Sequence, residues 1–179
     1  MTMHFRSWLA GTTMLLMTAT GAFAEVVYNR GSAATPESLD PHKTATTYEA
    51  DILREMFMGL VAQDAKAELI PGAAESWSIS DDGTVYTFKL RQGATWSNGD
   101  PVTAGDFVFA FQRLQDPATA AEYASMLYPV KNAEAINQGK AKPEEIGAKA
   151  IDDSTLEVTL NAPTPYCLEM LTHQATYPV

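Results

Sequence analysis

Residues 69–114 decide the fold, and they read LIPGAAESWSISDDGTVYTFKLRQGATWSNGDPVTAGDFVFAFQRL. Residues 76–80 and 84–90 alternate polar and apolar side chains, a pattern that predicts two half-buried β-strands. Between them, Asp81-Asp82-Gly83 predicts a tight turn, because Asp tolerates turn geometry and Gly accepts positive φ. The first half of this stretch is therefore predicted to be a β-hairpin.

A helix is predicted after this hairpin and a second turn at residues 97–101. Thr103 occupies an N-cap position and Asp106 follows three residues later, as in a capping box. One apolar face results from the i, i+4 and i+7 spacing of Phe107, Phe111 and Leu114. A helix from Thr103 to Leu114 would bury this face.

A second hairpin is predicted over residues 148–160. Asp152-Asp153-Ser154 is a turn signal, and residues 155–160 (TLEVTL) alternate with period two. We expect both hairpins to share one sheet, with the helix of residues 103–114 packed on it. The predicted fold class is therefore α/β, with mixed β-hairpins and packed helices.

Shorter patterns predict the remaining elements. Residues 26–30 (VVYNR) predict a strand, and residues 48–60 predict a helix with an apolar stripe that faces the core. That stripe consists of Ile52, Leu53, Met56, Phe57 and Leu60. Short helices are predicted at residues 120–127, 130–138 and 166–173.

The first 24 residues are predicted to be a cleavable signal peptide. His4 and Arg6 form a basic start, residues 8–17 are mostly apolar, and Ala22-Phe23-Ala24 fits the small-x-small cleavage rule. The alternative, a membrane anchor or a buried helix, is weaker because the apolar run is short of a full span and ends at the cleavage-like site. No Cys stands at the cleavage point, so we expect export to the periplasm without a lipid anchor.

The chain is acidic, with 22 Asp and Glu against 12 Lys and Arg and a net charge of −10 over 179 residues. Such a charge repels nucleic acid phosphates, so no nucleic-acid partner is expected. The aromatic side chains of the first hairpin region are accordingly interpreted as core rather than as base-stacking residues. They are Trp77, Tyr86, Phe88 and Trp96.

The sequence contains no motif of a catalytic site, such as GxSxG, HExxH, a phosphate loop or CxxC. The single cysteine, Cys167, is interpreted as a core residue rather than a nucleophile partnered by His42 or His173. His42 is interpreted as structural, because no second His or Cys stands at metal-ligand spacing. The pairs Asp81-Asp82 and Asp152-Asp153 are interpreted as turn residues. No enzyme activity, cofactor or metal is therefore predicted.

The stretch that decides the fold closely resembles the signature region of the family 5 extracellular solute-binding proteins, the receptors of bacterial peptide and nickel ABC importers. The matching segments are Pro71-Gly72, Ala74-Glu75-Ser76-Trp77, Asp81-Asp82-Gly83, Tyr86-Thr87-Phe88, Leu90-Arg91, Gly93, Trp96-Ser97-Asn98-Gly99, Pro101-Val102-Thr103-Ala104 and Asp106-Phe107-Val108. Residues 150–160 (AIDDSTLEVTL) resemble a later segment of the family. Residues 38–43 (SLDPHK) resemble its oligopeptide-binding branch in particular.

The resemblance implies a periplasmic binding protein of type II, of which this chain holds an N-terminal part. Residues 1–24 are then the signal peptide, and residues 25–57 are the first strand and helix of lobe I. Residues 58–179 are the α/β domain inserted into that lobe, and the remaining lobes are absent from the sequence. We therefore expect exposed apolar surface where the missing parts would pack.

The function implied by the resemblance is the substrate-binding component of an ABC transporter for oligopeptides, in truncated form. Its expected partners are an oligopeptide, bound weakly or not at all by this part alone, and the membrane permease subunits. A receptor for another solute, such as a dipeptide or a nickel complex, is an open alternative, and so is a non-functional truncated remnant. An exported hydrolase would need a nucleophile and base pair that the sequence does not offer.

The resemblance also implies a ligand site at Ala45, Thr46, Thr47 and Tyr123. An extended peptide is held well through its backbone, so we expect strand-like hydrogen bonds from residues 44–47. Tyr123 would add an apolar face and a hydroxyl group, although it could also be a core aromatic of a short helix. Ala45 stands where similar oligopeptide binders can carry an acidic residue, which removes a partner for a basic group of the ligand.

Overall fold

The structure is a computed structural model that describes residues 27–29 and 31–179, and the chain divides into two compact units, Met1–Gly31 and Ser32–Val179. The predicted signal peptide and its cleavage site lie outside the described residues. In the first unit, residues 27–29 have no regular secondary structure, so the strand predicted at residues 26–30 is wrong there. An extended segment becomes a strand only by pairing with another, and no described strand pairs with these residues.

The second unit alternates short helices and strands. The α-helices of the described chain are α1 Thr47–Met56, α2 Ala104–Gln115, α3 Ala133–Asn137 and α4 Cys167–Met170. The strands are β1 Val61–Gln63, β2 Leu69–Pro71, β3 Ala74–Ile79, β4 Val85–Leu90, β5 Ala148–Asp152 and β6 Thr155–Thr159. Short 3-10 helices lie at Pro41–Lys43, Pro117–Thr119, Ala124–Leu127, Pro143–Glu145 and Gln174–Thr176.

Both predicted hairpins are confirmed, and they share one four-stranded antiparallel sheet with the order β3-β4-β6-β5. The two hairpins join where β4 pairs with β6, with Phe88 opposite Leu156. In the β3–β4 turn, Gly83 has a φ of 69° and its N–H donates to the Ser80 carbonyl at 2.8 Å. The turn chemistry of the sequence therefore sets the register of the first hairpin.

Helix α2 packs on this sheet through the predicted apolar face. Phe107, Phe111 and Leu114 are 0% exposed and share one core cluster with Phe88 and Leu156 of the sheet. Burial of each such side chain contributes roughly 2 kcal/mol relative to leaving it in water. The helix also begins where the sequence predicts, because the carboxylate of its third residue accepts the N-cap backbone N–H at 2.7 Å.

Helix α1 ends at Met56 rather than at residue 60 as predicted. The backbone carbonyls of Gly59 and Leu60 accept hydrogen bonds from residues 72–74 instead, which turns the chain into β1 and its partner β2. A Cβ on Gly59 would lie 2.8 Å from the Tyr177 ring, so this glycine permits a close approach. Met56 consequently leaves the predicted core stripe and is 55% exposed.

The other predicted helices exist in shortened form. Residues 120–127 contain only the 3-10 helix Ala124–Leu127, and residues 166–173 contain only α4. Asn132 has a left-handed φ of 64°, so α3 cannot start at residue 130 and begins at Ala133. No helix among the described residues is long and apolar enough to cross a membrane.

Candidate functional site

The segment of residues 37–47, hereafter the 37–47 loop, leads into helix α1 and carries three of the predicted site residues. The Asp40 carboxylate accepts the His42 N–H at 3.1 Å and caps the 3-10 helix Pro41–Lys43. The Thr46 hydroxyl oxygen accepts the Glu49 N–H at 3.4 Å and caps α1. Two short helices thus begin within the loop, which leaves few of its backbone angles free.

Arg113, near the C-terminal end of α2, attaches this loop to the helix that packs on the sheet. One guanidinium nitrogen donates to Asp40 Oδ1 at 2.9 Å and the other to Oδ2 at 2.5 Å. Bidentate pairs of this kind fix orientation as well as distance. The hydrogen bonds from Arg113 hold the pKa of the Asp40 carboxyl below its usual range.

His42 is a buried neutral imidazole beside this ion pair. It is 2% exposed, and its Nδ1 lies 2.8 Å from an Arg113 guanidinium nitrogen. Because a guanidinium only donates, Nδ1 accepts, and the proton of the neutral ring is assigned to Nε2. Burial, followed by the charge of Arg113, lowers the pKa of His42 to about 4. This position fits the structural role predicted for His42.

Glu49 contacts both ends of the 37–47 loop from the first turn of α1. Its Oε1 accepts the backbone N–H groups of Glu37 at 2.9 Å and Ser38 at 3.4 Å. Its Oε2 accepts the Thr46 hydroxyl at 2.6 Å and the Thr46 N–H at 3.3 Å. These bonds, that of the Thr46 hydroxyl foremost, lower the pKa of Glu49, which favours the charged carboxylate.

The structure brings together two predicted site residues that are distant in the sequence. The Tyr123 hydroxyl donates to the Ala45 carbonyl at 3.4 Å, and the Tyr123 ring centroid lies 4.8 Å from that of His173. Ala45 and Thr47 are exposed, whereas Tyr123 is half-buried and also packs on the core cluster. Tyr123 therefore has a core side and a surface side, and its contact with a ligand stays a prediction.

The strand-like backbone edge expected at residues 44–47 is wrong at its C-terminal end. Thr44 and Thr46 are extended, but the Thr46 N–H is already bound by Glu49 and Thr47 is the first residue of α1. A capped helix start and a β-edge cannot occupy the same residues. The first N–H groups of a helix have no intrahelical acceptor, and they favour negative groups. The loop thus offers the Ala45 carbonyl and the N-terminus of α1 rather than a continuous strand.

Sequence reasoning missed three residues of this region, for different reasons. The role of Glu49 could have been predicted from the sequence, because Thr46 and Glu49 have the spacing of a capping box. Arg113 was not, since it meets Asp40 across 73 positions of the chain. His173 was considered only as a partner of Cys167, whereas its ring packs against Tyr123.

The other candidate groups are structural. Cys167 is 0% exposed, and burial raises the pKa of its thiol to about 12, as expected for a core residue. Asp82 and Asp152 accept hydrogen bonds from their own turns, from Ser80 and Thr84 and from Ser154 and Thr155 respectively. These bonds lower the pKa of both carboxyls, whereas a general acid needs a raised one. Residues 27–29 and 31–179 contain no cluster of metal-ligating side chains.

The predicted site residues line none of three cavities in the described part of the chain. A cavity of about 570 Å³ is lined by Ser125, Met126, Tyr128, Pro129, Tyr166, Glu169 and Met170, and includes none of them. A groove of about 530 Å³ beside the end of α1 excludes them as well. Small-ligand sites usually bury most of the ligand, so the surface around Ala45 and Tyr123 could form only one wall of such a site.

Comparison with known proteins gives one consistent family. Residues 68–179 match the family described as bacterial extracellular solute-binding proteins, family 5 Middle. The chain is 49% identical over 156 residues to the periplasmic oligopeptide-binding protein OppA of Haemophilus influenzae and 47% identical over 156 residues to that of Escherichia coli. Each alignment covers 86% of this chain but 28% of the relative.

Solved structures share the fold at similar identity. The crystal structure of Haemophilus influenzae OppA in complex with RPPGFSPFR matches 82% of this chain and 29% of its own, with a TM-score of 0.80 and 51% identity. The unliganded open form of MppA, a periplasmic murein tripeptide binding protein, matches 80% of this chain with a TM-score of 0.78. The chain thus spans somewhat more than a quarter of the length of the proteins it matches.

Proposed function

This chain belongs to family 5 of the bacterial extracellular solute-binding proteins, and we propose that it is the N-terminal part of the oligopeptide-binding component of an ABC importer. One observation carries this proposal: the chain is 47–49% identical to proteins named as oligopeptide-binding over 86% of its length. Family 5 proteins bind solutes and are not enzymes, which agrees with the assignment of Cys167 and the paired Asp residues to structural roles.

In this proposal, residues 25–57 belong to lobe I and residues 58–179 form the α/β domain inserted into it. Support comes from the core, since the cluster around α2 and the four-stranded sheet draws its members from residues 60–175. The 37–47 loop lies against this body through Arg113. The loop would therefore be carried as a rigid edge of the ligand cleft.

The peptide would be bound at the surface formed by Ala45, Thr46, Thr47 and Tyr123. A carbonyl oxygen has two lone pairs, so the Ala45 carbonyl can accept a ligand N–H beside its long contact with the Tyr123 hydroxyl. The N–H groups at the start of α1 would donate to a carbonyl or carboxylate of the ligand. Such contacts involve the peptide backbone, so they would tolerate many sequences.

The protein is proposed to act in the periplasm, after removal of residues 1–24, and to deliver peptide to membrane permease subunits. The matched OppA proteins are named as periplasmic, and the first residues have the pattern of a signal peptide. N-terminal sequencing of the exported protein tests this directly. The expected first residue is Glu25, and a periplasmic fraction that retains Met1 would contradict the proposal.

The ligand surface is tested in a receptor extended to the length of the matched relatives. Thr47→Pro removes one N–H at the first helical position, where Pro is tolerated, and Thr46 is already extended as the residue before Pro requires. We expect this variant and Tyr123→Ala each to weaken binding of an oligopeptide about tenfold, a loss of roughly 1.4 kcal/mol.

Tyr123→Phe is the matched control for the ring, because it removes only the hydroxyl group and leaves the contact with His173. Calorimetry gives the affinities, and melting temperatures check that the variants fold equally well. Dipeptides and a nickel complex serve as competing ligands. Unchanged affinity in both Thr47→Pro and Tyr123→Ala would remove the site from this surface, and tighter binding of a competing ligand would refute the oligopeptide specificity.

A further inference from the structure

We infer that Glu49 is the positioning residue of the 37–47 loop, because its single buried carboxylate holds both ends of that loop at once. The inference that this matters for ligand affinity rests on the proposed peptide-binding function. The positioning itself is a property of this chain, and it can be measured without any ligand.

The chemistry of the four contacts requires a carboxylate at this position. Glu37, Ser38 and Thr46 all donate to Glu49, so every contact needs an acceptor. A carboxylate offers about four lone-pair sites and no donor, whereas the amide of Gln would turn an NH₂ group towards one pair of donors. Glu49 is 3% exposed, which leaves water little access to replace a lost acceptor.

A comparison within the same chain separates the helix cap from the hydrogen bonds that Glu49 accepts from Glu37 and Ser38. Asp106 occupies the same third helical position in α2 and accepts the N–H of its N-cap residue, Thr103, at 2.7 Å. The same carboxylate oxygen also accepts the Thr103 hydroxyl and the Trp96 indole N–H, each at 3.3 Å. An aspartate is therefore long enough to cap a helix here. The additional methylene of Glu49 lets Oε1 reach Glu37 and Ser38.

The two attachments determine how the loop is presented. Glu49 fixes the loop at its start and at Thr46, and Arg113 fixes Asp40 between them. Ala45 directly precedes Thr46, so the direction of the Ala45 carbonyl depends on the hydrogen bonds between Thr46 and Glu49. A loop ordered before a ligand arrives spares the ligand the free-energy cost of ordering it.

Amide hydrogen exchange of the chain, followed by NMR near neutral pH, tests the positioning. Glu49→Asp should retain the cap and release the start of the loop, so we expect exchange at Glu37 and Ser38 to accelerate about tenfold or more. Exchange at the α1 interior, for example at Leu53, should change less than about twofold. Asp106→Asn is the matched control, because it weakens a cap of the same type and should leave Glu37 and Ser38 unchanged.

Glu49→Gln extends the test to the end of the loop at Thr46. The NH₂ group of Gln must face one of the two sets of donors, so exchange should accelerate at Thr46, at Glu37 and Ser38, or at all three. Unchanged exchange at all three amides in both Glu49 variants would overturn the positioning role. So would equal acceleration in Glu49→Asp and Asp106→Asn, because that result indicates general destabilisation.

Peptide affinity in the receptor of family length tests the consequence for binding. Glu49→Asp should weaken peptide binding about tenfold, whereas Asp106→Asn should change it less than about twofold at a similar melting temperature. If the parent receptor binds no peptide, the proposed function fails, and the exchange result still decides the positioning role. If the parent binds peptide and Glu49→Asp binds equally well, positioning by Glu49 does not contribute to affinity and the inference is refuted.

Discussion

The charge state of His42 is set by its buried position and by the charges around it, which lower its pKa to about 4. Arg113 and Asp40 face it as a cation and an anion. The Asp40 carboxylate is already engaged by the guanidinium. A proton added to His42 would therefore place a second positive charge beside Arg113 in a buried site.

We predict that this residue makes folding stability fall as the pH falls from about 6.5 to about 4. The unfolded state takes up the proton near the ordinary pKa, whereas the folded state resists it down to about 4, so acid favours unfolding. Chemical denaturation at pH 7 and pH 4.5 should show a loss on the order of 2 kcal/mol. His42→Asn should lose less over the same interval.

His173→Asn is the matched control, because burial also lowers the pKa of His173 but its ring packs against Tyr123 and not beside Arg113. Its pH dependence should stay closer to that of the parent chain. If His42→Asn and the parent lose equal stability between pH 7 and pH 4.5, the assignment of His42 as a neutral imidazole in the folded state is wrong.

At the residue scale, local chemistry was predictable and long-range pairing was not. The turn at Asp82, the cap at Thr103 and the burial of Cys167 follow from the residues themselves and their near neighbours. The contact of Arg113 with Asp40 is invisible in the sequence, because nothing in either segment specifies its partner across 73 positions. The ligand role of Ala45 and Tyr123 was inferred from resemblance, and the structure adds only that the two residues touch.

At the scale of elements, the periodicity of apolar residues predicted the type of most helices and strands but not the residue at which each one ends. The apolar stripe of residues 52–60 continues past Met56, yet the helix ends because the carbonyls of Gly59 and Leu60 pair with residues 72–74. Such pairing is tertiary, so it overrides the local pattern. The strand expected at residues 26–30 failed at its described positions for the same kind of reason, since a strand depends on its partner.

The packing of α2 gives a prediction with an internal control. Phe107 is 0% exposed and Phe109 is 54% exposed on the same helix. Phe107→Ala should reduce the free energy of unfolding by about 4 kcal/mol, because it removes a buried ring and leaves a cavity. Phe109→Ala should change it by less than about 1 kcal/mol.

Denaturant unfolding monitored by circular dichroism measures both variants of α2. Phe107→Leu provides a milder change of the same site if Phe107→Ala proves too unstable to study, with an expected cost of roughly 1 kcal/mol. Equal effects at Phe107 and Phe109 would contradict the packing of this helix on the sheet.

At the scale of the molecule, the chain has a substantial core, but its proposed ligand surface lies in no enclosed cavity of the described residues. The sheet and α2 bury a continuous cluster, whereas Met56 and Met58 are more than half exposed beside the groove at the end of α1. Ala45 and Tyr123 line neither that groove nor the cavity near Tyr128. We thus expect this chain to fold stably and yet to bind a ligand weakly.

We therefore predict that the chain without residues 1–24 folds but binds oligopeptides with a Kd weaker than about 1 mM. The chain spans 28% of the length of the OppA relatives, and proteins that close two lobes around a ligand need both of them. A peptide on the open surface at Ala45 and Tyr123 would keep most of its area in water, so burial would contribute little to affinity. Calorimetry with the same peptide on this chain and on the receptor of family length provides the comparison. A micromolar Kd for the shorter chain would mean that one wall of the cleft suffices, and the two-lobe account of binding would have to be abandoned for this protein.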